Sequence, residues 1–456
     1  MARGTLRFRV PPSTDAQGAQ AVLNIFGRTG SRTCDGFNRR NFLKVGTLGL
    51  GSLGLADLLR ARAAASQEGR ATRQTSVVWL WLGGGATHVE TFDPKMTAPA
   101  EYRSAVGEVS TALPGVTLGG VYPLIAQQAE HFSFVRSFAH TNSGHGGGTH
   151  FVMTGYDYPP ADANMPPIKP SIGSILARHR GQSHPETGIP TYVRISGIYG
   201  DGPAWLGTAN GPFDAGGEAR NNMNVNVPVE RIGDRRGLLK GLDRLERDAD
   251  RTGLMKGLDA FEVQAFDLVL GRSKEAFDLS GEDPRIRAKY GSGLGDQLLL
   301  ARRLCEAGCG FVTIHFGGWD MHGQIVQGMK GLGPPMDQAV AAFVEDVAQR
   351  GLDKQILLVI SGEFGRTPRI NPSAGRDHWA PLSTLAFAHG GLRNGQVVGE
   401  SNDKVEVPKS TPITPQDMMA TIFTVLGIDL DLHYYDQAGR PTPMLTTGKP
   451  IKELVG

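Results

Sequence analysis

Cysteine is scarce. Three in 456 residues are too few for a disulfide scaffold, and Cys305 and Cys309, spaced C-x3-C, lack the companions a zinc cluster would need. Cys34 lies upstream of the nearest apolar stretch, where lipid-attachment cleavage would not leave it. Charge of one sign is lacking as well. Residues 1–65 hold ten Lys/Arg and three Asp/Glu, which leaves 37 basic against 42 acidic residues downstream. With no Lys/Arg run after Ser66, a basic nucleic-acid groove is excluded. Glycine, in contrast, stands at 62, about twice the usual share of ~7%, and without a collagen period this means many tight loops. At 40% apolar and 20% charged, the chain can bury one large core or two ordinary ones.

Asn38-Arg39-Arg40-Asn41-Phe42-Leu43-Lys44 precedes a glycine-broken apolar stretch over 45–56 and then Ala63-Ala64-Ala65-Ser66. Basic, apolar and small-residue regions in that order form a twin-arginine export signal, so a leader over 1–65 and a mature chain over 66–456 are expected, periplasmic or extracellular. Asp57 interrupts the apolar stretch, which falls short of the ~18 residues of a stable span, so no membrane anchor is expected.

The mature chain opens with Ser76-Val77-Val78-Trp79-Leu80-Trp81-Leu82, a continuous apolar run stopped by Gly83-Gly84-Gly85, the pattern of a strand buried on both faces. Comparable runs cover 132–138, 191–196, 310–316, 355–361 and 382–388. Helical patterns over 296–307, 336–350 and from Pro415, with Thr414 as N-cap, alternate with them. The expected fold is α/β: a doubly wound, mostly parallel sheet covered on both faces. Two segments break the alternation. Residues 199–228, rich in Gly and Asn, read as a lid-like loop, and 230–276 as a charged helical insertion.

In parallel α/β sheets ligands bind beyond the carboxyl ends of the strands, and there the sequence concentrates His and acids. His88, Glu90 and Asp93 follow the first run; His140, Ser143, His145, Thr149 and His150 follow the second in a glycine-rich stretch. Trp319, Asp320 and His322 come next, then Glu363 and Arg366, then Arg376, Asp377, His378 and Trp379. Glycine-spaced histidines suit metal coordination or anion binding, and equally the capping of loops. Asp320 with His322, Asp377 with His378, and Glu363 make the stronger case for a divalent cation. Arg366 and Arg376 could hold an oxyanion bidentately or serve as ion-pair partners. Ser143 and Thr149 are candidate nucleophiles near a helix N-terminus.

The motifs Arg39-Arg40-Asn41-Phe42-Leu43, Thr91-Phe92-Asp93-Pro94-Lys95, Gly317-Gly318-Trp319-Asp320-Met321-His322, Ser361-Gly362-Glu363-Phe364-Gly365-Arg366-Thr367-Pro368 and Gly375-Arg376-Asp377-His378-Trp379 together resemble the exported bacterial family catalogued as domain of unknown function 1501. That family is similar to the alkaline phosphatase and sulfatase superfamily. The resemblance implies a doubly wound sheet, divalent metals (Zn, Mn, Ca or Mg) at the strand ends, and phosphate or sulfate esters as substrates. It places His145 in the nucleophile slot, ahead of Met153-Thr154-Gly155. Glu363-Phe364-Gly365 resembles the superfamily's metal-binding Asp-His-Gly with both leading residues changed, and His378 resembles its last metal histidine. Three glycines stand where the opening strand would carry a metal-binding Asp, so within the resemblance His88, Glu90 or Asp93 would have to replace it.

Two functions follow as expectations. One is metal-dependent hydrolysis of sulfate or phosphate esters, possibly on polysaccharides, with Asp320, His322, Glu363, Asp377, His378 and His88 around the cation and His145, Thr149 or Ser143 in catalysis. Arg366, Arg376, His150 and Trp319 are then the candidate substrate contacts. The other is a non-catalytic glycan- or anion-binding protein with a degenerate site, in which Trp205, Trp319 and Trp379 would stack on sugar faces. A third, structural role has only the charged insertion in its favour.

Overall fold

The computed structural model describes residues 75–157, 166–216 and 273–456. The expected leader over 1–65, and the insertion over 230–276 as far as residue 272, lie outside them. Within the compact unit Thr72–Gly456, eight strands form the principal sheet. In chain order they are β1 (Ser76–Gly83), β2 (Phe132–Val135), β3 (Tyr192–Arg194), β4 (Phe213–Asp214), β5 (Phe311–Gly317), β6 (Ile356–Ser361), β7 (Leu385–His389) and β8 (Gln396–Val398). Their spatial order is β8-β2-β7-β6-β1-β5-β3-β4. All neighbours are parallel except β7, which runs against both β2 and β6.

β1 is buried along its whole length because both its faces are covered. The helices that cover them include α1 (His145–Thr154), α2 (Ile172–Arg180), α3 (Leu294–Glu306), α4 (Ile325–Gln349) and α5 (Pro415–Leu426). Alternate side chains of a strand point to opposite faces. Val78, Leu80 and Leu82 accordingly share a core with Leu304 of α3 and Val340 and Val344 of α4. Val77, Trp79 and Trp81 share the other with Ile175 and Leu176 of α2 and Met418 and Ile422 of α5. This is a doubly wound α/β arrangement. Among the described residues no helix is long and apolar enough to cross a membrane.

Two local expectations change. The helix expected from 336 begins at Ile325 and runs through Pro334 and Pro335. A proline inside a helix costs about 3 kcal/mol, but Ile325 and Met329 are buried on this extra length, and Gly333 lies so near Val121 that a Cβ would meet its Cγ2 at 2.5 Å. Burial outweighs the local signal. The described part of the lid-like segment, 199–216, is pinned down: Phe213–Asp214 is strand β4, and buried Asp201 accepts hydrogen bonds from Tyr192 and Ser171.

Register sets where the chain emerges. Gly83 lies opposite Gly317, and Trp81 opposite Ser361, so β1, β5 and β6 end at one edge. Because β7 runs the other way, with Leu385 opposite Ser361, the segment that precedes it reaches the same edge.

Candidate functional site

Four segments meet at that edge. The turn after β5 carries Asp320 and His322, and the turn after β6 carries Glu363. A two-residue ladder, Gly365–Arg366 against His378–Trp379, sets His378 opposite Arg366. His145 is the first residue of α1. Close approach requires glycine at two points. Gly84 has φ +105° and would bring a Cβ within 2.5 Å of Asp320 N, while its own N–H donates to Glu363 Oε1 at 2.8 Å. Gly148 lets α1 lie against Glu363, whose carbonyl oxygen would be 2.8 Å from a Cβ there.

Each of three imidazoles has its Nδ1 against an oxygen that can only accept: His145 on Glu363 Oε1 at 2.8 Å, His322 on Asp377 Oδ1 at 2.7 Å, and His378 on Ser143 O at 3.0 Å. With Nδ1 donating to these oxygens, the neutral ring has a bare Nε2. All three bare nitrogens lie near Asp320. His322 Nε2 is 3.0 Å and His378 Nε2 3.1 Å from Asp320 Oδ1, the two nitrogens are 3.1 Å apart, and His145 Nε2 is 3.4 Å from Asp320 Oδ2.

Arg366, buried and held by the carbonyls of Gly84, Gly85 and Arg376, also donates to Asp320 Oδ1. Burial by itself would raise the Asp320 pKa, but the guanidinium and the histidines hold it down at about 2. The Glu363 hydrogen bond, working against partial burial, raises His145. Partial burial lowers His378 although its bond to Asp320 opposes this. His378 thus gives up its second proton more readily than His145 does.

Lone pairs converging without a proton between them repel unless a cation or an added proton lies among them. The donor set fits a metal. His145, Asp320 and His378 can each offer one ligand atom, all within 4.8 Å of one another. Donors at 2.0–2.1 Å around a tetrahedral ion lie about 3.3 Å apart, close to the separations seen here. Glu363 Oε2 is buried and has no hydrogen-bond partner among the described residues, a further uncompensated acceptor.

The structure thus brings Asp320, His322, Glu363, Asp377 and His378 together. Glu363 and Asp377 orient imidazoles, and His145, expected in catalysis, stands with the ligand atoms. Ser143 also reaches the site, but its carbonyl holds His378 and its Oγ accepts from Ala380 N at 2.9 Å.

Other expected residues stand elsewhere. His88, expected as a ligand, is buried with Nε2 on Val405 O at 3.0 Å, and burial lowers its pKa to about 4. Thr149 is buried inside α1 and is not open to attack a substrate. His150 is buried with Nδ1 donating to Tyr156 O near the end of that helix. Trp319 is core, 1% exposed and edge-on to Phe316, so it cannot stack on a sugar. Arg376, 0% exposed, pairs with Glu90 at 2.8 Å and binds the carbonyls of Thr367 and Pro368. Arg366 is equally buried, so neither arginine is free for a bidentate grip on an oxyanion. Trp205 packs partly buried against the core, and half-buried Trp379 donates to Glu406 O.

No curated protein matches the chain in sequence. Solved structures similar to it include a sulfatase from Pseudoalteromonas sp., at 14% identity and TM-score 0.36, covering 81% of this chain and 70% of that one. A lipoteichoic acid synthase from Listeria monocytogenes gives 9% and 0.35, covering 79% and 73%. A phosphonate monoester hydrolase from Silicibacter pomeroyi gives 11% and 0.34, covering 78% and 74%. Residues 74–455 match the family model described as protein of unknown function (DUF1501), and the chain belongs to that family.

Proposed function

We propose that this protein is an exported, metal-dependent hydrolase of sulfate or phosphate esters, acting on a small-molecule ester or on a sulfated or phosphorylated glycan. The observation that carries the reading is the convergence of three imidazole Nε2 atoms on the Asp320 carboxylate. His145, Asp320, His322 and His378 would hold one divalent cation, and this nitrogen-rich set favours zinc over manganese, calcium or magnesium. Such an ion would polarise an ester oxygen and acidify a water.

The chain's own groups prepare the site. Glu363, Asp377 and the Ser143 carbonyl keep the ring protons on Nδ1, and Arg366 keeps Asp320 ionised. The N-cap of α1 is Gly144, which has no side chain to cap it, and a helix N-terminus beside His145 suits an anionic ester. The side chains of Asp320 and His322 are 44% and 48% exposed, which leaves the cluster open to a substrate. Arg39-Arg40 supports export by the twin-arginine route.

The second reading, a non-catalytic glycan- or anion-binding protein, is favoured by the burial of Thr149, which removes one candidate nucleophile. Elemental mass spectrometry of the chain from Ser66, beside a His322→Ala/His378→Ala double variant, separates the two. Stoichiometric metal that the folded double variant loses, with aryl sulfate or phosphate hydrolysis lost alongside it, supports the hydrolase. Metal-free protein after incubation with each cation sinks it in favour of the binding reading.

A further inference from the structure

Asn371 lies in the loop that joins the Gly365–Arg366 and His378–Trp379 strands, and its side chain uses both ends of its amide. Oδ1 accepts from the N–H groups of Ser373 and Gly375, each at 3.0 Å, which closes a turn. Nδ2 donates to His322 O at 2.9 Å and to Asp377 Oδ1 at 3.2 Å. That same Asp377 oxygen takes the Nδ1 proton of His322 at 2.7 Å. One amide therefore grips both the backbone of His322 and the carboxylate that orients its ring.

The grip matters because burial does not supply it. The His322 and Asp377 side chains are 48% and 52% exposed, and water competes for both. Around them the two segments are joined by backbone bonds, from Gln324 to Ser373 O, Ile325 to Ala374 O and Arg376 to Met321 O. Gln324 and Ala374 both hold positive φ, 50° and 56°, which side chains rarely adopt. Gly375 is so close that a Cβ would lie 2.2 Å from the His322 carbonyl carbon. This scaffold brings the two segments together, and among the described residues the Asn371 amide alone reaches from the turn to the Asp377 oxygen that His322 uses.

We propose that Asn371 is a positioning residue, which holds Asp377 Oδ1 where it accepts a hydrogen bond from the Nδ1–H of His322 and so keeps His322 Nε2 bare and directed at Asp320. Its functional meaning rests on the cation reading given above. Asn371→Asp separates this role from turn-making: it keeps an acceptor for Ser373 and Gly375 but sets an anionic oxygen, in place of the donor, against Asp377. Zinc affinity by isothermal titration should fall about 10- to 100-fold, as outer-shell changes do, and Asp377→Asn should match it. Asn371→Ala, which also opens the turn, should lower thermal stability further.

A second readout needs no metal. Nitrogen-15 NMR of the metal-free protein should show His322 as the Nδ1–H tautomer, and a mixture of tautomers in Asn371→Asp. Wild-type affinity together with an unchanged tautomer in Asn371→Asp would overturn the proposal and leave Asn371 a turn residue. Should the wild-type protein take up no metal, the tautomer still decides. Loss of the Nδ1–H form in the variant upholds Asn371 while the cation reading fails, and its persistence overturns the proposal.

Discussion

Proton placement governs the residues at the sheet edge. Glu363 Oε1 takes the Gly84 N–H and the His145 Nδ1 proton together. A Glu363→Gln amide could instead present an N–H to His145 and turn its bare nitrogen away from Asp320. Metal affinity by equilibrium dialysis should fall about 10- to 100-fold; unchanged affinity would remove Glu363 from the site. His88 gives a pH prediction away from the cluster. Burial lowers its pKa to about 4, whereas the unfolded chain takes up that proton near 6.5. The unfolded state binds more protons between those values, so stability is level above about pH 6.5 and falls as pH drops toward 4, by roughly 3 kcal/mol. Urea midpoints of the wild type and His88→Asn across that range test it: the variant should show the shallower decline. That Asp320, His322 and His378 gather at the strand ends was legible from the sequence. Their division of labour was not. Whether a carboxylate binds an ion or holds a ring depends on ångström-scale placement, which spacing does not encode.

Elements supply that placement, and α1 and α5 do so by different means. Gly→Ala inside a helix ordinarily stabilises by about 1 kcal/mol, but at Gly148 the added Cβ would lie 2.8 Å from the Glu363 carbonyl oxygen. Gly148→Ala should therefore lower both the thermal midpoint and metal affinity, because α1 must move and carry His145 with it. A rise in the midpoint would show that this contact is not limiting. At α5 a capping box joins Thr414 and Asp417. Thr414→Ala should cost about 1 kcal/mol by calorimetry and leave metal affinity unchanged, since α5 contributes no side chain to the cluster. The N-cap and Pro415 were readable locally. The first turns of α4, through Pro334 and Pro335, were not, because only packing on Val121 and its neighbours explains them.

For the whole molecule, the sheet is the device that makes distant segments neighbours. A cation bound only by the folded arrangement stabilises it by mass action, about 2.7 kcal/mol at one hundred times Kd. Chelation should therefore lower the thermal midpoint, zinc should restore it, and the His322→Ala/His378→Ala variant should ignore both; a midpoint indifferent to chelator in the wild type would count against a resident ion.

The sequence by itself determined the α/β class, the buried central strand, the strand ends as the place to look and the candidate histidines and acids. Periodicity and glycine placement are local properties, and local properties can be read along a chain. Tertiary structure alone decided that β7 runs antiparallel and so delivers His378 beside Asp320, that Trp319, Arg366 and Arg376 are buried, and that three imidazoles present bare nitrogens to one carboxylate. Those outcomes depend on strand register and on hydrogen bonds between residues some 50 to 280 positions apart in sequence, as between His322 and Asp377 or Gly84 and Glu363.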